Sequence, residues 1–247
     1  MDKLLYIAAS GARQDLLATS VRANNLANAQ TNGFKAQLEQ ARAMPAFGEG
    51  LPTRVFAMTE SPTNNYEGGA MIRTDRDLDV AIQGAGWLSV QDKQGNEAYT
   101  RAGNLQVGPD GLLQDGHGNL VIGDGGPIAL PLPLSKIDIA NDGTLSIRPQ
   151  GAPIEVLEEI GRLKLVNPNV AEMERGSDGL FRLKSGQQAD EDLNVRLASG
   201  TLEGSNVNPV EEMVSMISLQ RHYELQVKLM KEAGENDTRA NRLLQIL

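Results

Sequence analysis

The sequence predicts an α+β protein, with long N- and C-terminal helices forming a coiled-coil-like pair and a central antiparallel all-β domain. Three observations carry this expectation. Apolar residues recur at helical spacing at both ends of the 247-residue chain. Between those ends the pattern changes to short alternating or apolar runs. Asp-Gly pairs separate the runs, and Asp-Gly between apolar runs is the strongest short-range hairpin signal.

The first element, residues 2 to about 28, reads as helix. Leu5, Ala9, Ala12, Leu16, Ala23 and Ala27 recur close to a heptad, with Gly11 the one weak spot. Thr31-Asn32-Gly33 should stop it, because glycine supplies the left-handed backbone that ends helices. Residues 36–76 fit neither pattern. Met44-Pro45, Leu51-Pro52, Ser61-Pro62 and Gly68-Gly69 punctuate an extended linker with room for short strands.

Residues 77–203 read as the β domain. Candidate strands lie at Leu78–Ile82, Trp87–Val90, Leu120–Ile122, Lys136–Ile139, Thr144–Ile147 and Gly161–Val166. The turn pairs are Asp110-Gly111, Asp115-Gly116, Asp124-Gly125, Asp142-Gly143 and Asp178-Gly179.

Residues 204–247 hold the second long helix, from 207 to about 245. Asn208 is the expected N-cap, with Pro209 at the first helical position. Glu211 and Glu212 fall in the first turn, where the helix dipole favours acids. Met213, Met216, Leu219, Tyr223, Val227 and Met230 form a stripe. Val210, Val214, Ile217, Leu225 and Leu229 are read as widening it into one broad apolar face. The division of the chain is therefore 1–35, 36–76, 77–203 and 204–247.

Composition narrows the function. The chain has no cysteine, which excludes disulfides, a thiol nucleophile and thiolate-bound metal. Its two histidines, His117 and His222, stand far apart in sequence, against a multi-histidine metal site. A net charge of -9 argues against nucleic-acid binding, which needs a basic face. No run approaches the roughly 18 apolar residues of a membrane span. The two ends are nearly neutral, and the acidity is concentrated on the middle, which suits ends that bury themselves and a middle that faces solvent. The opening segment is amphipathic, with a neutral Met1-Asp2-Lys3 start, and does not read as a cleaved secretory signal.

Most chemical motifs dissolve on inspection. Asp110, Asp115, His117, Asn119 and Asp124 have no EF-hand spacing and read as turn residues. Gly84-Ala85-Gly86 lacks the third glycine and the following helix of a dinucleotide fingerprint, and reads as a tight turn. No Gly-x-Ser-x-Gly elbow occurs. His222 belongs to a helix surface or packing contact, and the methionine stripe to adaptable packing. No catalytic residue, cofactor or metal is expected. Two amphipathic helices outside a β domain can pair and still present a seam to neighbouring copies, which favours a polymer subunit over a monomeric enzyme.

Specific motifs then point to a family. Ala23-Asn-Asn-Leu-Ala-Asn28, Thr31-Asn-Gly-Phe-Lys35 and Gly204-Ser-Asn-Val-Asn-Pro-Val-Glu-Glu-Met213 resemble the rod and hook proteins of the bacterial flagellum. So do Met216-Ile217, Arg221, Tyr223-Glu224, Asp77–Gly84, Gly86-Trp87 and Tyr99–Asn104. The pieces occur in order across nearly the whole chain, and its length and middle are most similar to the proximal rod branch. The opening Met1–Tyr6 departs from the start usual in the distal rod branch.

The resemblance implies a structural subunit of the basal-body rod, the drive shaft from motor to hook. Its partners would be proximal and distal rod subunits, copies of itself in a helical assembly and the flagellar type III export apparatus, with no nucleic acid. It would be exported uncleaved and assembled across the periplasm, the terminal helices forming an inner tube and the β domain an outer layer. The expected assembly contacts are Leu5, Ala12, Leu16, Asn24, Asn25, Leu26, Asn28, Gly33, Phe34, Met213, Met216, Ile217, Tyr223 and Leu225. Asn24, Asn25 and Asn28 are poor helix formers and make sense as amides bonded to other helices, the competing reading being a frayed helix end. A carbohydrate-binding or cell-wall-acting β protein on a helical stalk is the alternative from a different class.

Overall fold

A computed structural model describes residues 2–39, 41–45, 55–59, 63–151, 153 and 157–244. The chain divides into two compact units. One comprises Met1–Ala29, Lys35–Asn65 and Val207–Leu247; the other comprises Gln30–Phe34 and Tyr66–Asn206.

The first unit is built on two helices, α1 (Asp2–Ala27) and α2 (Pro209–Leu244). They pair antiparallel: Arg22 near the end of α1 meets Glu212 in the opening turns of α2, and Gly11 lies against Gln226 further along. Asn208 caps α2, its Oδ1 accepting from the N–H of Val210 at 3.1 Å. A Cβ on Gly11 would sit 3.1 Å from the Gln226 amide, so the weak spot in the heptad is where the helices approach closely. Two short antiparallel ribbons complete the unit, Gln37–Leu38 with Thr63–Asn64 and Ala41–Pro45 with Val55–Thr59. The stretch read as a linker thus contains paired strands, while residues 40, 46–54 and 60–62 of it lie outside the described residues.

The second unit is antiparallel in every described pairing. Its main sheet has nine strands. Seven run in the order Met173–Arg175, Phe181–Leu183, Glu97–Thr100, Trp87–Gln91, Leu120–Gly123, Leu113–Gln114 and Gln106–Val107, and Leu165–Val166 and Gly126–Pro127 flank them. A three-stranded sheet follows, made of Leu134–Ile139, Thr144–Pro149 and Glu158–Arg162. Two ribbons bring late and early strands together: Arg196–Ser199 on Val80–Gln83, and Thr201–Glu203 on Met71–Arg73.

All five Asp-Gly pairs lie between consecutive antiparallel strands. The aspartates work locally: Asp142 Oδ1 accepts from the N–H of Thr144 at 3.1 Å, and Asp178 Oδ1 from that of Leu180 at 3.1 Å. Asp115 is fully buried, its oxygens taken by the N–H groups of His117 and Asn119 and by the Asn119 amide. Among the described residues no cluster suited to a metal ion occurs. Gly84 and Gly86, with φ of 79° and 134°, make the tight turn into Trp87.

Burial separates the two units. The β unit encloses a core of large aliphatic side chains, among them Leu88, Val90, Leu105, Leu113, Val121, Leu145, Ile147, Leu163 and Leu165. Trp87, Tyr99, Met173 and Phe181 form a second cluster, with Trp87 and Phe181 ring centroids 4.6 Å apart. Burial pushes the Tyr99 hydroxyl pKa up to about 12, and its oxygen accepts from the N–H of Ala189 at 2.6 Å. On the helices, by contrast, the only buried side chains among the described residues are Ala8, Ala12, Asn25, Glu212 and Ala233. No large apolar side chain of either helix is buried there.

Candidate assembly surface

The α2 helix carries apolar residues on two opposite faces. Glu212, Met216, Leu219, Tyr223, Gln226, Met230 and Ala233 recur in steps of four and three and are buried or half-buried against α1. Val210, Met213, Val214, Ile217, Leu225 and Leu229 lie on the other side, between 46 and 63% exposed. The expected single broad face is therefore corrected. At 3.6 residues per turn, Val214 and Ile217 point away from the seam that holds Met216 and Leu219.

The expected stripe of α1 is rotated in the same way. Of Leu5, Ala9, Ala12, Leu16, Ala23 and Ala27, only Ala12 is buried; Leu5 and Leu16 are exposed, as are Tyr6 and Leu17. The seam runs instead through Ala8, Gly11, Ala12, Asp15, Arg22 and Asn25, small or polar residues that a search for large apolar side chains passes over.

Asn25 is the centre of a polar lock. It is 0% exposed. Its Nδ2 donates to the Gln37 carbonyl at 2.9 Å and to Glu212 Oε1 at 3.0 Å, and its Oδ1 accepts from the N–H of Gln37 at 2.9 Å. Glu212 also holds Arg22, at 3.1 Å to Oε2. One amide thus ties α1, α2 and the strand Gln37–Leu38 together. Its partner helix belongs to the same chain. The Asn28 amide bonds the Asn24 carbonyl of its own helix at 2.9 Å, and the Asn24 side chain faces solvent. The cluster therefore splits: Asn25 bridges helices, whereas Asn28 ends one.

Charged groups crowd the same seam. Burial raises the Asp15 carboxyl pKa, an effect the charge of His222 on α2 opposes. Burial also raises that of Glu39, offset by Arg22 and reinforced by Asp15, while the Gln14 amide bonds it.

Gly33 and Phe34 lie in the β unit. Gly33 has φ of 68°, its N–H donates to the Glu203 carbonyl at 2.7 Å, and a Cβ there would meet the Arg101 carbonyl carbon at 2.2 Å. Phe34 is buried, with the Arg175 guanidinium 4.3 Å from its ring centroid. Beside them is an ion pair that sequence reasoning missed. Arg101 Nη1 binds Glu203 Oε2 at 2.9 Å, both side chains buried. Glu203 Oε1 accepts from the N–H of Gly69 at 3.0 Å, and Arg101 Nη2 donates to the Gly84 carbonyl at 2.7 Å. Arg101 falls within the motif Tyr99–Asn104 and Glu203 stands just before Gly204, but nothing in the sequence links the two.

Of the expected contact residues, Ala12, Asn25, Gly33 and Phe34 are buried within their own units. Leu26, Asn28, Met216 and Tyr223 are half-buried, and Leu5, Leu16, Asn24, Met213, Ile217 and Leu225 are exposed.

Comparison with known proteins gives the family. A model described as "Flagella basal body rod protein" matches residues 5–35. One described as "Flagellar hook protein FlgE/F/G D1 domain" matches 81–147, and "Flagellar basal body rod FlgEFG protein C-terminal" matches 198–243. The chain is 46% identical to the flagellar basal-body rod protein FlgF of Salmonella typhimurium, over the whole of both chains, and 45% identical to that of Escherichia coli. It is 32% identical to the rod protein FlgG of Buchnera aphidicola, over 94% of this chain and 95% of that one. With helices, β unit and connecting motifs all matched in order, the chain belongs to the flagellar basal-body rod protein family, on the FlgF side.

Proposed function

We propose that the chain is a structural subunit of the flagellar basal-body rod, in its proximal part, and that its role is mechanical rather than catalytic. The observation that carries this reading is the second apolar face of α2. Val210, Met213, Val214, Ile217, Leu225 and Leu229 are exposed on a helix whose other face is already covered. Burying each such side chain in a neighbour contributes about 1.5–3 kcal/mol. A row of them on a rigid rod of 36 residues suits axial stacking, in which torque passes through many packed contacts. The relatives are named as basal-body rod proteins, which supports other rod subunits and further copies of this chain as neighbours. No described helix is long and apolar enough to cross a membrane. Passage through the flagellar type III export apparatus without cleavage, and assembly across the periplasm, complete the proposal.

The test is incorporation. Ile217→Asp and Met213→Asp place a carboxylate in the contact, where desolvation without a partner costs several kcal/mol, about 3–5. Both variants should fold with unchanged Trp87 fluorescence, because the only tryptophan reports the β unit, yet be missing from purified basal bodies. Incorporation at wild-type levels with normal swimming would remove this face from the interface.

A further inference from the structure

We propose that Asn32 is a site of self-modification by deamidation, held inactive by the folded β unit and released when the chain stays unfolded. Asn32-Gly33 is the one Asn-Gly pair in the sequence. At such a pair the Gly33 backbone nitrogen can attack the Asn32 side-chain carbonyl carbon. The new C–N bond closes a five-membered succinimide, the C–N bond of the amide breaks, and ammonia leaves with the proton from the Gly33 nitrogen. Water then opens the ring on either side, giving aspartate or isoaspartate. No side chain beyond Gly33 obstructs the attack, since glycine has none.

The fold blocks each requirement of this reaction. The attacking nitrogen must lose its proton, but that N–H is committed to the Glu203 carbonyl at 2.7 Å. Residues 32 and 33 must rotate to bring nitrogen and carbonyl carbon together, but Gly33 is buried at φ of 68°. It lies so close to Arg101 and Ala102 that an added carbon would meet their backbone at 2.2–2.4 Å. Glu203 is fixed in turn by Arg101 and the Gly69 N–H. The acceptor that protects Gly33 therefore comes from the far end of the β unit in sequence. Protection exists only once residues 33, 101 and 203 have come together.

The consequence is directional. Isoaspartate adds a methylene to the main chain beside a glycine with no spare room, so a modified chain cannot restore the Gly33–Glu203 bond. Asn32 acts as a timer that retires chains left unfolded and spares folded ones.

The experiment follows deamidation of the full-length chain at neutral pH by mass spectrometry, folded and in denaturing urea. The folded chain should react at Asn32 at least about a hundredfold more slowly, which corresponds to about 2.7 kcal/mol for opening the joint. Asn32→Gln, whose ring closure is disfavoured, should abolish the signal at this position in urea. Chains aged in urea and then refolded should show isoaspartate at residue 32 concentrated in the fraction with a lowered Tm, and unmodified chains recovering fully. Equal rates in folded and unfolded chains would overturn the protection. Isoaspartate-containing chains that refold with the native Tm would overturn the timer.

Discussion

At the residue scale, Asn25 shows how local and tertiary demands diverge. Leucine is the better helix former by about 0.4 kcal/mol, so Asn25→Leu should raise the helicity of an isolated N-terminal peptide. In the full chain it strips partners from the Gln37 N–H and carbonyl and from Glu212, each buried group left unsatisfied costing about 1–3 kcal/mol. Helical circular dichroism should rise for the peptide and the helix pair should loosen in the protein; a stabilised protein would show that the amide is not needed. Gly33→Val makes the complementary case, adding strain of about 1–3 kcal/mol to a clash with the Arg101 main chain, so the Tm of the β unit should fall. Much of this was legible in advance. An asparagine in an Ala/Leu helix signals a polar partner, as at Asn25, and Gly33 signals left-handed backbone; the helix nevertheless ends at Ala27, and the φ of 68° at Gly33 serves its close approach to Arg101 and Ala102 instead. The Arg101–Glu203 pair was not legible, because one arginine and one glutamate a hundred residues apart carry no periodicity.

At the element scale, both helices were readable from spacing, but their orientation was not. On α1 the stripe drawn through Leu5 and Leu16 marked the uncovered side, the buried seam using Ala8, Ala12 and Asn25; on α2 Met216, Leu219, Tyr223 and Met230 of the stripe do line the seam, between Glu212 and Ala233, and the residues read as widening it lie on the uncovered side. Small residues let helices approach closely and leave little apolar signal. The seam is also charged, and this gives the two units opposite responses to acid. Burial raises the Asp15 pKa above its usual 3.8, so the folded pair holds that proton more tightly than the unfolded chain. The burial penalty is full above the folded pKa and is relieved as pH falls through it toward 3.8. In the β unit the hydrogen bond from Arg182 leads in lowering the Asp178 pKa, burial opposing it. Its contribution is present above 3.8 and is lost as pH falls below that value. Acidification below pH 3.8 should therefore weaken the β unit, read by Trp87 fluorescence, before it weakens the helical signal. Helices that melt first on acidification would contradict the assignment.

At the scale of the whole molecule, the β unit holds a core of buried leucine, isoleucine and valine, whereas the helical unit buries among its described helix residues only alanines, one asparagine and one glutamate. Stability in proteins comes mainly from apolar area removed from water, so the helices are the part that neighbours must complete. The sequence carried the α+β layout and all five Asp-Gly turns. It could not show that the stretch after Lys35 contributes strands to the helical unit, because one ribbon has strands of only two residues and the other, of five, includes Pro45 and shows no clear alternation. The helical unit should therefore reach its full stability only within the assembly. Amide hydrogen exchange, followed for the free chain and for the same chain in purified basal bodies, tests it most directly. In the free chain α1 and α2 should exchange far faster than the strands Trp87–Gln91 and Glu97–Thr100, and in the basal body the amides around Ile217 and Leu225 should become protected. Equal protection of α2 and those strands in the free chain, unchanged on assembly, would show that the helices need no neighbours.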